Sequence, residues 1–309
     1  MFDESSYSFT RYLSSKKSVD DRALNRLVWE ELRSILLREK TGSTQAILEI
    51  GAGIGTMFER TLEWGLFNRA YYTAIDAMQE NIEEAKARIP GWAYNAGYRV
   101  EEIEDYELKL SGSGMEVTLK LETTDFFEFA TRRHPGSGWN LIVANAFLDL
   151  VDSEKTLPIT LDLLNPNGLL YFTINFDGST ILEPAIDVEF DAFIEQLYHQ
   201  TMDDRIIDRG QSGDSKTGRH FFAIAQKNNV EILESGSSDW TVFARKSGYR
   251  EDEAYFLHFI IHTMYLALKD RPELDKPRFK AWIDTRHSQI ETCRLVYIAH
   301  QLDFLCRKS

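Results

Sequence analysis

The stretch that decides the fold is ILEIGAGIGTMFER, residues 47–60, in which three glycines fall within five positions. An apolar run precedes the glycines, and a helical pattern follows them. Glycine at this spacing weakens a helix and a strand alike. The pattern therefore predicts a tight turn between a strand and a helix, where a ligand can approach backbone amides at the helix N-terminus.

The glycine spacing separates two classes of nucleotide-type loop. A dinucleotide-binding fingerprint requires G-x-G-x-x-G, and its third glycine would fall at Thr56. The pattern present is an acid followed by alternating glycines: Glu49, Gly51, Gly53 and Gly55. An acid at this position would be poorly placed beside a pyrophosphate. An NAD-dependent dehydrogenase is therefore the disfavoured interpretation.

The chain around this loop alternates between strand and helix patterns up to residue 176. Strands are predicted at 46–50, at 71–75, near Asp125 as the second arm of a hairpin, before Asn145, and at 169–176. Helices are predicted at 18–39 and at 79–89, the second one stopped by Pro90 and Gly91. Such alternation predicts a parallel sheet with right-handed crossovers and with helices on both faces.

Composition limits the classes of partner and compartment. The formal charge of −14 argues against nucleic acid as the usual partner, because nucleic-acid binders carry basic faces. The longest apolar runs are too short to span a bilayer, and the first residues contain no apolar signal segment. Two cysteines without a CxxC motif indicate free thiols. We expect a cytoplasmic protein that does not bind membranes.

The acid and glycine spacing at 49–55 resembles motif I of the class I S-adenosylmethionine (SAM)-dependent methyltransferases. The resemblance covers residues 46–176 well. It implies a doubly wound, mostly parallel seven-stranded sheet of the Rossmann-like type, closed by an antiparallel last strand. It also implies SAM as the cofactor and S-adenosylhomocysteine (SAH) as the product, with this loop passing under the methionine part of SAM.

Further positions follow from the resemblance in chain order. Asp76 ends the second strand, where the family places an acid against both ribose hydroxyls, and a carboxylate can accept two hydrogen bonds from a diol. The alternative role for Asp76 is a helix N-cap, and Asp125 has the same alternative. The implied cofactor-binding residues are Glu49, Gly51, Ala52, Gly53, Gly55, Asp76, Ala77, Met78, Asp125, Phe126, Asn145, Ala146 and Phe147.

The remainder of the chain is predicted to build onto this core within a single domain, residues 1–309. Residues 1–45 form an N-terminal helical segment, and residues 46–176 form the SAM-binding core. Helical insertions at 177–217 and 240–293 cap the carboxyl ends of the strands. A closing helix and strands occupy 218–239 and 294–309. Because capping helices enclose a compact acceptor and exclude water, we expect a small-molecule substrate.

The acceptor site is predicted in the polar stretch SGDSKTGRHFF, residues 212–222, which should lie over the strand ends. His220 is the leading general base, with His199, His258 and His262 as other candidates. His258 and His262 have the i, i+4 spacing of metal ligands but lack an evident third ligand, so no metal is predicted. The catalytic candidates are His220, Asp214 and Asn145, and the substrate-binding candidates are Phe176, Tyr198, Arg219 and Trp240.

Several alternatives remain at this point. The sequence predicts methyl transfer to O or N of a small molecule, but a protein or peptide acceptor is also compatible with it. A non-catalytic SAM-binding sensor or partner subunit would need the same loop. Tyr12 and Arg22 could close over the cofactor carboxylate. Asp149 and Asp152 follow the fourth strand, where they are expected to start helices.

Overall fold

The computed structural model describes residues 7–39, 43–112, 114–132, 138–207 and 210–308. The strands in these residues are β1 (Gln45–Ile50), β2 (Arg69–Asp76), β3 (Arg99–Glu104), β4 (Glu107–Gly112), β5 (Met115–Thr123), β6 (Trp139–Asn145), β7 (Leu164–Glu183), β8 (Ile206–Ile207), β9 (Gly210–Gln211), β10 (Val230–Ser237), β11 (Trp240–Val242) and β12 (Val296–Lys308). The helices are α1 (Phe9–Ala23), α2 (Arg26–Glu39), α3 (Thr56–Glu63), α4 (Gln79–Asn95), α5 (Phe126–Thr131), α6 (Ser153–Leu163), α7 (Val188–Asp203), α8 (Thr217–Lys227), α9 (Glu253–Leu268) and α10 (Lys276–Glu291).

One sheet organises the described residues, with the strand order β10-β12-β7-β6-β1-β2-β5-β4-β3 and β11 beside β12. Strands β7, β6, β1, β2 and β5 are parallel, and β12 is antiparallel to β7. The predicted α/β class with a doubly wound, mostly parallel sheet and an antiparallel last strand is confirmed.

The sheet is covered on both faces because its central strands are apolar on both sides. In β1, Ile47 belongs to the core that includes Val28 of α2 and Phe58 of α3. Its neighbour Leu48 points to the opposite core, which includes Phe221 of α8. Strands of this kind are typical of parallel sheets buried between two helical layers.

The number of strands differs from the seven predicted. Three additional strands are present in the sheet among the described residues: β3 and β4 extend the edge beyond β5, and β11 pairs with β12. The sequence predicted a hairpin of β4 and β5, but β3 was missed. Its pattern RVEEIE is mostly exposed and charged, so it carries little apolar alternation. Residue 113 of the hairpin turn lies outside the described residues.

The single helix predicted at 18–39 is wrong, because two helices occupy this region. The Ser8 side chain accepts a bond from the Arg11 amide and caps α1. The chain then breaks at Leu24, and the Asn25 side chain accepts from the amides of Leu27 and Val28 at the start of α2. Residues 1–6, which contributed to the prediction about the N-terminus, lie outside the described residues.

The predicted end of the second helix at Pro90 is also wrong, since α4 continues to Asn95. Proline removes one backbone donor from a helix and costs several kcal/mol, about 3 in a helix interior. Ile89 and Ala93 on either side of it are completely buried against the sheet. Burial of this helix face offsets the missing hydrogen bond.

Strand β7 is longer than predicted and leads into the cap. It extends beyond residue 176 to Glu183, where it pairs with Val296 of β12. Helix α7 follows it and contacts α9, which in turn contacts α1 and α10. Of these helices, α1 reaches the carboxyl ends of β1 and β6, through Leu13 at the glycine loop and Asp20 at Asn145. No helix among the described residues is long and apolar enough to cross a membrane.

Candidate functional site

The glycine loop between β1 and α3 has the backbone that only glycine adopts easily. Gly51, Gly53 and Gly55 have φ angles of 66°, 54° and 82°. A Cβ atom on Gly55 would lie 2.8 Å from Ile89 of α4, and one on Gly53 would lie 3.2 Å from Leu13 of α1. The loop is therefore tight for two reasons, its left-handed backbone and the close approach of α1 and α4.

Asp76 at the end of β2 holds the loop to the neighbouring strand. Its Oδ2 accepts from the Gly53 amide at 2.8 Å. Its Oδ1 accepts from the Met78 amide at 2.8 Å and from the Asn81 side chain at 3.1 Å. The carboxylate is 8% exposed. Because a carboxylate offers about four acceptor positions, these three bonds leave capacity for a further donor. Asp76 thus organises the turn, although the N-cap position of α4 belongs to Met78.

Glu49 lies beneath the loop, almost fully buried. Its Oε2 accepts from the hydroxyl of Tyr72 at 2.6 Å. Burial raises the pKa of the Glu49 carboxyl to about 8, although the Tyr72 hydrogen bond and the charge of Arg60 favour the ionised form. A cation entering beside Glu49 would favour ionisation further. The carboxyl can therefore complement a ligand ammonium, which the resemblance implies.

The residues predicted around an adenine ring are placed at the ends of β2 and β5. Ala77 and Met78 are exposed after Asp76. Asp125 caps α5 through one oxygen, which accepts from the amides of Phe127 and Glu128. Phe126 is buried. Asp125 therefore acts as the N-cap of α5, which was the alternative role predicted for it. Its second carboxylate oxygen takes no part in the capping.

The end of β6 carries a strained backbone. Ala146 has a φ of 52°, and its amide donates to Thr173 at 2.8 Å. The Asn145 amide group accepts from the Thr173 hydroxyl at 2.9 Å and donates to Asp20 of α1 at 3.3 Å. Phe147 lies against the glycine loop, 3.5 Å from where a Cβ on Gly51 would stand. The structure therefore brings the predicted residues 145–147 next to the loop.

A buried charged network on α1 was missed by the sequence analysis. Asp20 is 2% exposed and accepts from Lys16 at 2.6 Å, from Trp240 Nε1 at 2.9 Å and from Asn145. Arg60 of α3, which is fully buried, lies 3.6 Å from Asp20 and bonds Asp21. The network joins α1 to the glycine loop's helix and to the end of β6.

The two residues predicted to close over the cofactor carboxylate both contact α9. Arg22 bonds Glu253 of α9 and is partly exposed. The Tyr12 ring stacks on Phe256 and Phe259 of the same helix. Burial raises the pKa of Tyr12, with nearby Tyr297 as the second cause. Arg22 is thus committed to holding α1 against α9.

His220 and Asp214 are brought together at a cleft that Val151 and Asp152, shortly after the end of β6, help to line. His220 Nδ1 lies 2.6 Å from Asp214 Oδ2, and both side chains are partly exposed. The cleft has a volume of about 400 Å³ and is also lined by Ser153, Asp203 and Lys216. A carboxylate on one ring nitrogen orients the ring and leaves Nε2 available to accept a proton. Asn145 bonds α1 and Thr173 instead of this pair.

The predicted substrate-binding residues divide into two groups. Arg219 is on the outer side, where it bonds Asp177 at 2.8 Å. Trp240 is buried against Phe256, and the Phe176 ring lies 5.2 Å from His199. Tyr198 is also enclosed, and burial raises its pKa to about 12. The three aromatic side chains are packed in the interior, whereas Arg219 is half-exposed.

The remaining histidine candidates have neighbours of their own. His199 lies 3.0 Å from the Thr180 hydroxyl, and burial lowers its pKa. His258 lies 2.8 Å from His287 of α10, and His262 stacks on Tyr7. No group of three or more His, Cys, Asp or Glu in the described part of the chain is arranged to hold a metal ion.

The two carboxylates after β6 differ from each other. Asp152 caps α6 and accepts from the Lys155 amide, in agreement with the helix-starting role predicted for it. Asp149 lies inside a 3-10 helix (Leu148–Leu150) and caps no α-helix. Its Oδ1 is buried without a hydrogen-bond partner among the described residues, and burial raises its pKa. The charges of Lys16 on α1 and of Asp214 beside His220 both act on this carboxyl.

The chain has similarities to solved structures but not to family models or curated proteins. No family model matches the chain, and no curated protein matches it. A solved SAM-dependent methyltransferase from Thiobacillus denitrificans, in complex with SAH, is 13% identical with a TM-score of 0.42, covering 94% of this chain and 96% of that chain. A cyclopropane synthase from Mycobacterium tuberculosis is 7% identical, with a TM-score of 0.44 and coverage of 97% and 99%. Coclaurine N-methyltransferase bound to N-methylheliamine and SAH is 11% identical, with a TM-score of 0.41 and coverage of 99% and 76%.

Proposed function

We propose that the protein is a SAM-dependent methyltransferase that transfers a methyl group to O or N of a small-molecule acceptor. The observation that carries this proposal is the bond between the Gly53 amide and Asp76. It fixes a left-handed glycine loop beside a carboxylate at the end of the adjacent parallel strand. This arrangement suits a ligand that combines a sugar diol with a compact polar tail.

The residues present fit such a cofactor. Asp76 keeps acceptor capacity for ribose hydroxyls, and Glu49 is a buried carboxyl suited to an ammonium group. The glycines give the loop the left-handed backbone that lets its amides turn toward a ligand, while Cβ atoms at Gly53 and Gly55 would meet Leu13 and Ile89. When bound, SAM supplies an activated methyl group on a positively charged sulfur.

The protein's own residues would align the acceptor and receive its proton. Methyl transfer is an in-line displacement, so the gain comes mainly from orientation and exclusion of water. His220, oriented by Asp214, is proposed as the base that takes the proton from the acceptor O–H or N–H. The cleft beside this pair has a volume of about 400 Å³, within the usual range for a small-molecule site.

Calorimetry on the full chain tests the cofactor first. SAM and SAH should bind with micromolar-scale affinity, and NAD should not bind. Binding of NAD without SAM would overturn the proposal.

A second assay tests the reaction. The protein is incubated with methyl-labelled SAM and a small-molecule extract, and label is expected in the small-molecule fraction. Label found only in protein would indicate a protein acceptor. SAM binding without any transfer to either fraction would indicate a non-catalytic binding module.

A further inference from the structure

Lys16 projects from the face of α1 that covers the glycine loop. Residues 13, 16 and 20 lie on one face of this helix because their spacing follows the helical repeat. Leu13 lies 3.2 Å from where a Cβ on Gly53 would stand, and Asp20 contacts Asn145 at the end of β6. Lys16 is therefore located between the loop and the end of β6, over the place where the methionine part of the proposed cofactor would lie.

The ammonium group of Lys16 is buried with donor capacity in reserve. The residue is 6% exposed, and its Nζ donates to Asp20 at 2.6 Å. The ring of Trp240 lies 5.1 Å from Nζ, and the charge of Lys16 also acts on the buried carboxyl of Asp149. A lysine ammonium has three donors, and the contacts given by the described residues include one hydrogen bond. A buried cation with two further donors is suited to an anionic ligand group.

Asp20 is not a partner of Lys16 alone. Its carboxylate also accepts from Trp240 and Asn145 and lies 3.6 Å from Arg60. Two other cationic side chains of α1 each have more than one hydrogen-bond or ion-pair partner. Lys17 pairs with Asp21 and Glu63, and Arg22 bonds both Glu253 and the Ser18 carbonyl oxygen.

We propose that Lys16 binds the carboxylate of the cofactor's amino-acid end, opposite the ammonium group held at Glu49. This inference rests on the proposed function and assigns a role to a residue outside the predicted site. Helix α1 then has a binding function in addition to its packing function, because it brings a cation to the ligand from above the glycine loop. It follows that the ligand must carry a carboxylate to use this contact.

The test compares two ligands that differ in this group. SAH contains the amino-acid end, whereas 5′-methylthioadenosine retains the adenosine and the thioether and lacks it. Both are titrated calorimetrically into the full chain and into Lys16→Gln, with Lys17→Gln as the matched control on the same helix. Lys16→Gln should weaken SAH binding roughly 10–100-fold, the loss expected for a charge-assisted hydrogen bond, and leave 5′-methylthioadenosine unchanged. Lys17→Gln should change neither affinity.

The outcomes separate this inference from the proposed function. Equal weakening of both ligands in Lys16→Gln, or no weakening of SAH, overturns the role of Lys16 and leaves the cofactor in place. Failure of both ligands to bind the unmodified chain overturns the proposed function together with the inference. Lys16→Arg, which keeps the charge, should retain part of the preference for SAH and covers the case in which Lys16→Gln fails to fold. Loss of that preference in a folded Lys16→Arg variant that still binds 5′-methylthioadenosine also argues against a charge-dependent contact.

Discussion

The carboxyl-end edge of the sheet has two halves that differ in burial. At β1 and β2, Glu49 and Asp76 are buried, and their partners are a tyrosine hydroxyl, backbone amides and one asparagine side chain. At β7 and α8, the pairs His220–Asp214 and Arg219–Asp177 include partly exposed side chains. Buried, fixed acceptors preorganise a site for a polar ligand, whereas exposed pairs contribute little to stability. The first half is therefore suited to holding a cofactor, and the second is free to take part in proton transfer.

The comparison predicts that His220 affects turnover without affecting cofactor binding. His220→Ala should reduce methyl transfer about 10²–10⁴-fold, the usual contribution of a general base. The measurement is labelled-methyl transfer to the acceptor fraction, accompanied by calorimetric titration with SAH. Lys227→Gln, on the same helix and exposed in a surface ion pair with Glu154, is the control and should be nearly neutral. Full activity of His220→Ala would remove the residue from the mechanism.

The buried half should impose a pH dependence on stability through Glu49. Its pKa is about 8 in the folded protein against 4.5 as the ordinary value, so the folded state binds more protons between these values. The free energy of unfolding should therefore fall as the pH rises from about 4.5 to about 8, by at most about 1.4 kcal/mol per pH unit.

Glu49→Gln should flatten this slope, because Gln has no proton to lose. Urea unfolding at several pH values measures the difference between the two proteins. Asp303, whose pKa burial raises to about 6, gives a slope of the same sign in both proteins and cancels in the comparison. An identical slope in the variant would show that Glu49 titrates normally.

Asp76 should matter for binding. Asp76→Asn replaces one acceptor oxygen by an NH₂ group and should weaken SAH binding by about 1–3 kcal/mol. The exposed Asp105→Asn variant serves as the calorimetric control. Unchanged SAH affinity in Asp76→Asn would place the ribose contact on another residue.

The smallest expected effects are on the free energy of unfolding of two Gly→Ala variants, which separate side-chain packing from backbone strain. Gly55 and Gly65 both have positive φ, but a Cβ on Gly65 meets no atom within 4 Å. Gly65→Ala should lower the free energy of unfolding by about 1 kcal/mol through strain alone. Gly55→Ala should lower it by about 2 kcal/mol, because the strain adds to the contact with Ile89. Equal losses in denaturant unfolding would mean that α4 moves aside freely.

Local patterns in the sequence were sufficient to predict the residues at the ends of β1 and β2. Glu49, the glycines and Asp76 lie at strand ends marked by apolar runs, and the structure places them side by side. The residues that define the glycine loop all lie in one short segment. The strand–helix alternation was therefore sufficient to predict where this loop lies in the fold.

The buried network on α1 could not be predicted in the same way. Lys16 and Asp20 have the i, i+4 spacing of an ordinary exposed ion pair, and only the tertiary contacts of Asp20 with Trp240 and Asn145 show that they are buried. Strand β3 and the continuation of α4 past Pro90 were missed for a related reason. In each case pairing or packing with distant residues outweighs the local preference.

The contacts that hold α1 in place have a consequence for the order in which the protein folds. Its contacts with α3 are close in the chain, through Asp21 with Arg60 and Lys17 with Glu63. Its contacts with α9 are remote: Ser18 and Arg22 bond Glu253, and the Ser8 amide donates to Tyr255, 247 positions away. Contacts of such long sequence separation form late, since the intervening chain must be ordered first. During synthesis, α1 can therefore contact α3 early, whereas its bonds to α9 must wait until nearly the whole chain has been made. A chain that ends before α9 would lack the second of these two attachments of the helix that covers the glycine loop.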